Sequence, residues 1–442
     1  MTTLAEKRSE RLWESLYEAE IANGLRVFIL PKKDFRQTYA TFTTKYGSLD
    51  SEFLNPESGK RVKVPDGIAH FLEHKMFEEE DGDVFNRFAQ YGAQTNAFTT
   101  FDSTTYLFSS TSLVEENLTV LLDFVQNPYF TDQNVEKEKG IIAQEIKMYE
   151  DTSNWRSYFG LLKGFYGTHP AATDIAGTVD SIAKITKEDL YQCYRTFYHP
   201  SNMMLFIIGP VDPQAILTLI ENNQAAKTFT NKRSVERFYP EWPSRAVQPM
   251  TESQLAIAQP RVLFGYKDVF TSPDPKQRNR QDAAMELWMD AILGRGSKLF
   301  HELIEEGLTD QGFTVEYELT ERYGHSILGG NSLRPLELVT RAQDALQKIA
   351  KVGIDQADFL RVKRKAIGRF VSLFDSPQGM AHVFTAQKLR GIDIFETLSV
   401  LEDIELDDVN RTMQEHLRED QFAVSLVRQL HGEEAVASES TN

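Results

Sequence analysis

Apolar residues recur along this chain in two rhythms, alternating with polar ones over short runs and spaced three and four apart over longer ones. Residues 17–21 and 25–30 flank Asn23-Gly24, a pair that accepts the positive φ angles of a tight turn, and they predict a β-hairpin. A strand rich in Thr and aromatics is predicted over 38–46 and a polar loop over 51–65. A helix follows over 67–77, with Ile68, Phe71, Leu72 and Met76 at helical spacing. Strands over 93–98 and 104–110 come next, then helices over 114–126, 134–149, 155–166 and 187–197, a buried-type strand over 203–209 and a helix over 213–221.

Residues 225–259 carry Pro240, Pro243 and Pro249, with Pro260 just beyond, and their weak periodicity predicts a linker. A second set follows, with a strand over 261–266, helices over 281–293 and 298–305, and strands over 313–319 and 326–330. It ends with helices over 336–352, 356–374 and 408–417 and a strand over 422–427. The sets echo each other. Phe130-Thr131-Asp132-Gln133 opens a long helix in the first, and Gly353-Ile354-Asp355-Gln356 does so in the second. The expected fold is therefore α+β, with two homologous-looking domains over 1–230 and 256–430, each a mostly antiparallel sheet packed with helices. A linker over 231–255 joins them and a polar, disordered tail over 431–442 ends the chain.

At 442 residues the chain exceeds what one core organises, which agrees with two domains. Lys and Arg total 48 against 65 Asp and Glu, a net charge of −17 that repels phosphate backbones and anionic lipid. Nucleic acid and membrane are therefore not expected partners, and a basic peptide suits the charge if the acidity lines a cavity. The single cysteine, Cys193, excludes an intrachain disulfide framework and any multi-cysteine zinc site, and is expected in the core. No apolar h-region opens the chain and no apolar run approaches the ~18 residues of a membrane span, so a soluble, cytoplasmic protein is expected. Ser297 is expected to cap a helix, and Trp155 and Trp242 to pack.

The chemistry concentrates in Asp66-Gly67-Ile68-Ala69-His70-Phe71-Leu72-Glu73-His74. His70 and His74 are about one helical turn apart and project from one face, with Glu73 flanking it. Two neutral imidazoles can bind Zn²⁺ while the carboxylate reaches water activated by the metal. This is the inverse of the H-E-x-x-H arrangement. With 9 His and 38 Glu in 442 residues, chance supplies roughly 0.02 such matches. A catalytic zinc site needs a third ligand, and Glu138 and Glu145, two turns apart on one predicted helix, are both candidates. One could bind metal while the other steadies a ligand. Spacing does not choose between them.

These residues resemble the pitrilysin/insulinase zinc metallopeptidases, which include the mitochondrial processing peptidase, and most closely their short two-domain bacterial type. Besides His70-Phe71-Leu72-Glu73-His74, the stretch Gly92-Ala93-Gln94-Thr95-Asn96-Ala97-Phe98-Thr99 resembles the family's G-x-x-x-N-A-x-T strand, and Glu138 to Glu145 its E-x-x-x-x-x-x-E helix. The resemblance implies one Zn²⁺ per chain on His70, His74 and Glu145, with Glu73 as general base and Glu138 supporting the ligands. It implies that Asn96, Ala97 and Phe98 pair with an extended peptide. It also implies two domains forming half of a clam-like chamber. The activity implied is zinc-dependent endopeptidase cleavage of unfolded peptides or short polypeptides, of which maturation of a ribosomally made peptide is a special case. The alternative is a non-catalytic peptide-binding or scaffold subunit of a processing complex.

One departure stands out. Family members present an Arg and a Tyr in an L-R-E-x-x-G-L-x-Y pattern to stabilise the oxyanion. The nearest stretch here is Leu303-Ile304-Glu305-Glu306-Gly307-Leu308-Thr309-Asp310, with Ile304 and Asp310 at those places. The expectation is a homo- or heterodimer in which a homologous subunit supplies Arg and Tyr.

Overall fold

The computed structural model describes residues 2–80, 82–230, 234–269 and 271–430. They form two compact units, each built on one main sheet. The expected tail over 431–442 lies outside the described residues, and no described helix is long and apolar enough to cross a membrane.

In the first unit, seven strands run across the sheet in the order Ala5–Ser9, Glu14–Glu20, Arg26–Pro31, Met203–Gly209, Thr38–Thr44, Thr104–Ser110 and Gln94–Thr99. Every pair is antiparallel except Arg26–Pro31 with Met203–Gly209. Thr38–Thr44 and Met203–Gly209 are buried at every position because helices cover both faces of the sheet. In the second unit the order is Met250–Leu255, Phe422–Gln429, Arg261–Tyr266, Gly324–Asn331 and Thr314–Leu319, with the first pair parallel and the rest antiparallel. The same five-strand pattern thus occurs in both units, as the echo in the sequence implied.

Neither unit is a continuous stretch of chain. Among the described residues, the first comprises the stretches 2–146, 173–240 and 372–389, and the second comprises 147–172, 241–371 and 390–430. The expected division at 231–255 is corrected in two ways. The helix Ser153–Tyr166, from the first half of the sequence, packs on the second unit's strands, where Gly160 lets its backbone approach Ser425 and Thr251. Conversely, the helix Pro377–Leu389, unread in the sequence, packs on the first unit's sheet. Its Phe384 stacks on Phe206 at 4.2 Å and meets Phe28 edge-on at 5.2 Å. The expected linker also contains structure. Arg237 bridges to Phe53, and Met250–Leu255 is an edge strand whose polar residues hide its period. Likewise the polar loop over 51–65 holds a short antiparallel ribbon of Glu52–Leu54 with Arg61–Lys63.

Several smaller expectations hold. Cys193 is buried, and burial pushes its thiol up to about 12. Ser297 caps the helix Lys298–Glu305 by accepting the Phe300 N–H at 3.2 Å. In the second unit, Ser326, His416 and Asp268 form a hydrogen-bonded series, with Ser326 Oγ to His416 Nε2 at 2.8 Å and His416 Nδ1 to Asp268 Oδ1 at 2.6 Å. Ser326 is fully buried and its Oγ already accepts the Tyr266 N–H, so the series ties the Leu406–His416 helix to the sheet rather than offering a nucleophile.

The helix Ile68–Lys75 starts at a tight backbone crossing. Gly67, its N-cap, has φ +89°, and a Cβ there would lie 2.3 Å from Ala176 O. Gly59, with φ +65°, has open space around it. A left-handed residue other than glycine costs ~1–2 kcal/mol. Gly59→Ala should therefore lower stability by about that much, and Gly67→Ala by clearly more because backbone must move. Denaturant unfolding of the two variants checks this; equal losses would mean that the crossing at Ala176 is not a constraint.

Candidate metal centre

The helix Ile68–Lys75 is short, and its rotation is set by burial of Ile68, Ala69, Phe71 and Leu72. With that face inward, His70 and His74 leave together from an adjoining one, their rings edge to face with centroids 4.5 Å apart. Facing them is the helix Asp132–Glu150. A reciprocal cap sets its start: Asn134 donates its N–H to Thr131 Oγ1 at 3.1 Å, and Thr131 donates its N–H to Asn134 Oδ1 at 2.9 Å. Val135, Ile142 and Ile146 bury its apolar stripe and bring Glu138 and Glu145 to the imidazoles.

Of the two carboxylates that spacing alone left open, Glu145 is the one that faces both imidazole Nε2 atoms. Its Oε1 lies 3.9 Å from His70 Nε2 and its Oε2 lies 3.5 Å from His74 Nε2. One ligand atom from each of His70, His74 and Glu145 lies within 4.8 Å of the others, and this is the only such group among the described residues. Bonds of about 2.0–2.1 Å to a tetrahedral ion put neighbouring ligands about 3.4 Å apart, so the donor set suits zinc in spacing as well as in kind.

Electrostatics favour the same use. Burial, reinforced by the charge of His74, pushes the His70 imidazole down to about 3, so its lone pair is available at neutral pH. Its Nδ1 is buried with no hydrogen-bond partner among the described residues. His74 Nδ1 lies 3.1 Å from Glu138 Oε1. A carboxylate only accepts, so in the neutral ring the proton sits on Nδ1, which leaves the Nε2 lone pair on the side toward Glu145. Burial works against ionisation of Glu138, yet the His74 hydrogen bond and the Lys75 charge outweigh it and hold the carboxyl below the usual range. Burial likewise opposes charge on His74, but the Glu138 hydrogen bond and the carboxylates of Glu73, Glu138 and Glu145 raise its pKa.

Glu73 is 7% exposed, and its Oε2 accepts a hydrogen bond from Thr99 Oγ1 at 2.6 Å. Burial raises its pKa above the ordinary carboxylate value, opposed by Thr99 and His74 and assisted by Glu145. Thr99 ends the edge strand Gln94–Thr99, so that strand supports the acid as well as bordering the site. Successive residues of a strand face opposite ways. Phe98 accordingly stacks on His382 of the Pro377–Leu389 helix at 5.1 Å, on the other face from Glu73. Asn96 is exposed and its Oδ1 accepts the Ala97 N–H at 2.9 Å.

Two contributors escaped the sequence reading. Thr99 stands in the quoted strand motif, but its partner was invisible before folding. Lys75 follows His74 directly and lies on the apolar stripe of its helix, a discrepancy that helical spacing does reveal.

Comparisons place this geometry among known proteins. Residues 57–178 match the family model described as insulinase (peptidase family M16), and residues 184–366 match the peptidase M16 inactive domain. The uncharacterized zinc protease YmfH of Bacillus subtilis is 43% identical over 420 residues, 95% of this chain and 97% of that one. The crystal structure of an M16-like peptidase from Alicyclobacillus acidocaldarius has a TM-score of 0.91 at 42% identity, covering 94% of this chain and 99% of the other. The periplasmic protease PqqL of Escherichia coli shares the fold at 19% identity and a TM-score of 0.71, with 98% of this chain matching 49% of that longer one. With 43% identity to a zinc protease over 95% of its length, joined to a His-His-Glu group in a two-unit α+β fold, this chain belongs to the M16, insulinase-type family of zinc peptidases.

Proposed function

We propose that this chain is a zinc-dependent endopeptidase that cleaves extended, unfolded peptides, with one zinc held by His70, His74 and Glu145 and with Glu73 carrying protons. The observation that carries this reading is the convergence of those three donors beside a buried carboxylate held by Thr99. A purely structural zinc site has no use for a positioned base, which favours an enzyme over a scaffold. When bound, zinc supplies Lewis acidity that polarises the scissile carbonyl and acidifies water.

The remaining work falls to the chain's own side chains. Thr99 holds Glu73 Oε2, so Oε1 takes the proton from water and returns it to the departing amine. The raised pKa of Glu73 helps it hold that proton until delivery. Glu138 keeps His74 in one tautomer and one orientation. The backbone of Asn96, Ala97 and Phe98, on the edge strand, offers an extended peptide a partner for strand addition. Beside it a cavity of about 680 Å³ carries Glu78, Glu79, Glu80 and Asp83 against Lys137, an excess of negative charge that suits a basic side chain.

Ile304 and Asp310 stand where an Arg and a Tyr would donate to an oxyanion, so a homologous partner subunit bearing Arg and Tyr completes the site. The doubled length of PqqL, only half of which this chain matches, supports such a two-part assembly.

Three outcomes are expected. The purified chain binds one zinc, and His70→Ala or Glu145→Gln abolishes that stoichiometry in metal analysis. Glu73→Gln keeps the zinc but lowers kcat on a quenched peptide mixture by ~10²–10⁴-fold; retained hydrolysis would contradict its role. The chain alone is feeble, and adding a homologous subunit with the Arg/Tyr pair raises kcat by ~10²–10³-fold. Full activity of the chain by itself would exclude the partner.

A further inference from the structure

Two charged side chains stand where helical rhythm calls for apolar ones. Lys75 falls four residues after Phe71 and three after Leu72, on the buried stripe of its helix, and its side chain is wholly buried. Glu138 falls three residues after Val135 and four before Ile142 on the facing helix, and it is 7% exposed. A buried ammonium is costly unless charge and hydrogen bonds answer it, whereas methionine fills a similar space without that cost. Here the charges answer each other. Lys75 Nζ lies 3.5 Å from Glu138 Oε2, and Lys75 also donates to Glu78. The second oxygen, Glu138 Oε1, is the one His74 Nδ1 reaches. Consecutive residues of one helix therefore grip both oxygens of a single carboxylate on the other.

We propose that Lys75 is a positioning residue of the metal centre: by anchoring Glu138 Oε2 it fixes the carboxylate that turns His74 Nε2 toward Glu145. This rests on the reading of His70, His74 and Glu145 as zinc ligands. Without the ammonium, Glu138 can rotate about its terminal torsion, and His74 loses the acceptor that sets its ring. Glu73, held independently by Thr99, keeps its place.

The test is zinc affinity of the full chain, measured by competition with a chromogenic chelator, with circular dichroism as a control on folding. Lys75→Met should weaken zinc binding by roughly 10–100-fold, the range for losing a group that orients a ligand. Lys75→Arg, which keeps the charge, should recover most of it. In a Glu138→Gln background, adding Lys75→Met should cost less than about threefold, because a neutral amide needs no cation. Wild-type affinity in Lys75→Met, or the same loss in both backgrounds, overturns the proposal. If Lys75→Met alone does not fold, the double variant decides: affinity matching Glu138→Gln supports the role, and a further tenfold loss refutes it. A wild-type chain whose zinc binding is absent, or unchanged by His70→Ala, instead refutes the metal centre itself.

Discussion

A single carboxylate, that of Glu138, ties together the two helices that carry the candidate metal centre. It accepts from His74 on one oxygen and from Lys75 on the other, and both donors come from the helix Ile68–Lys75. Because it sits on the apolar stripe of the Asp132–Glu150 helix, the register that buries Val135 and Ile142 also delivers Glu145 to the imidazoles two turns on. Core packing and ligand placement are thus one constraint. Shifting either helix by a residue would expose apolar surface and scatter the ligands together.

Local chemistry was legible in the sequence and long-range exchange was not. His70, Glu73 and His74 announce themselves because a helical turn brings residues four apart together in any context. Glu138 and Glu145 were visible as a pair, but choosing the one that faces the imidazoles required the packing of two helices. Phe98 reads as part of a candidate peptide strand, and only the fold reveals that its ring leans on His382, a residue almost three hundred positions later. Met250–Leu255 was hidden because an edge strand with one solvent face holds polar residues, and three nearby prolines argued for a loop. Helix Pro377–Leu389 has a weak stripe because its buried side includes Ala381 and Thr385 as well as Met380 and Phe384.

The repeated five-strand pattern makes the specialisation of the first unit plain. The helix Pro275–Leu293 has the same place in the second sheet's order as Ile68–Lys75 has in the first. Where the first unit has histidines answered by Glu145, the second has Asp290 paired with Lys365 at 2.7 Å and Glu286 with Arg369 at 3.4 Å. Opposite charges close on each other there, and among the described residues no convergent donor set remains. One scaffold therefore supports a candidate metal centre in one copy and self-satisfied ion pairs in the other.

The late helix Pro377–Leu389 has a consequence for biosynthesis. Phe28 and Phe206, which it covers, emerge from the ribosome long before it does. Between synthesis of the inner strand Met203–Gly209 and of this helix, the first sheet carries an open aromatic face, so its folding cannot finish as that strand leaves the exit tunnel. A transcript cut between the two halves would yield two products, each missing a wall that the other encodes.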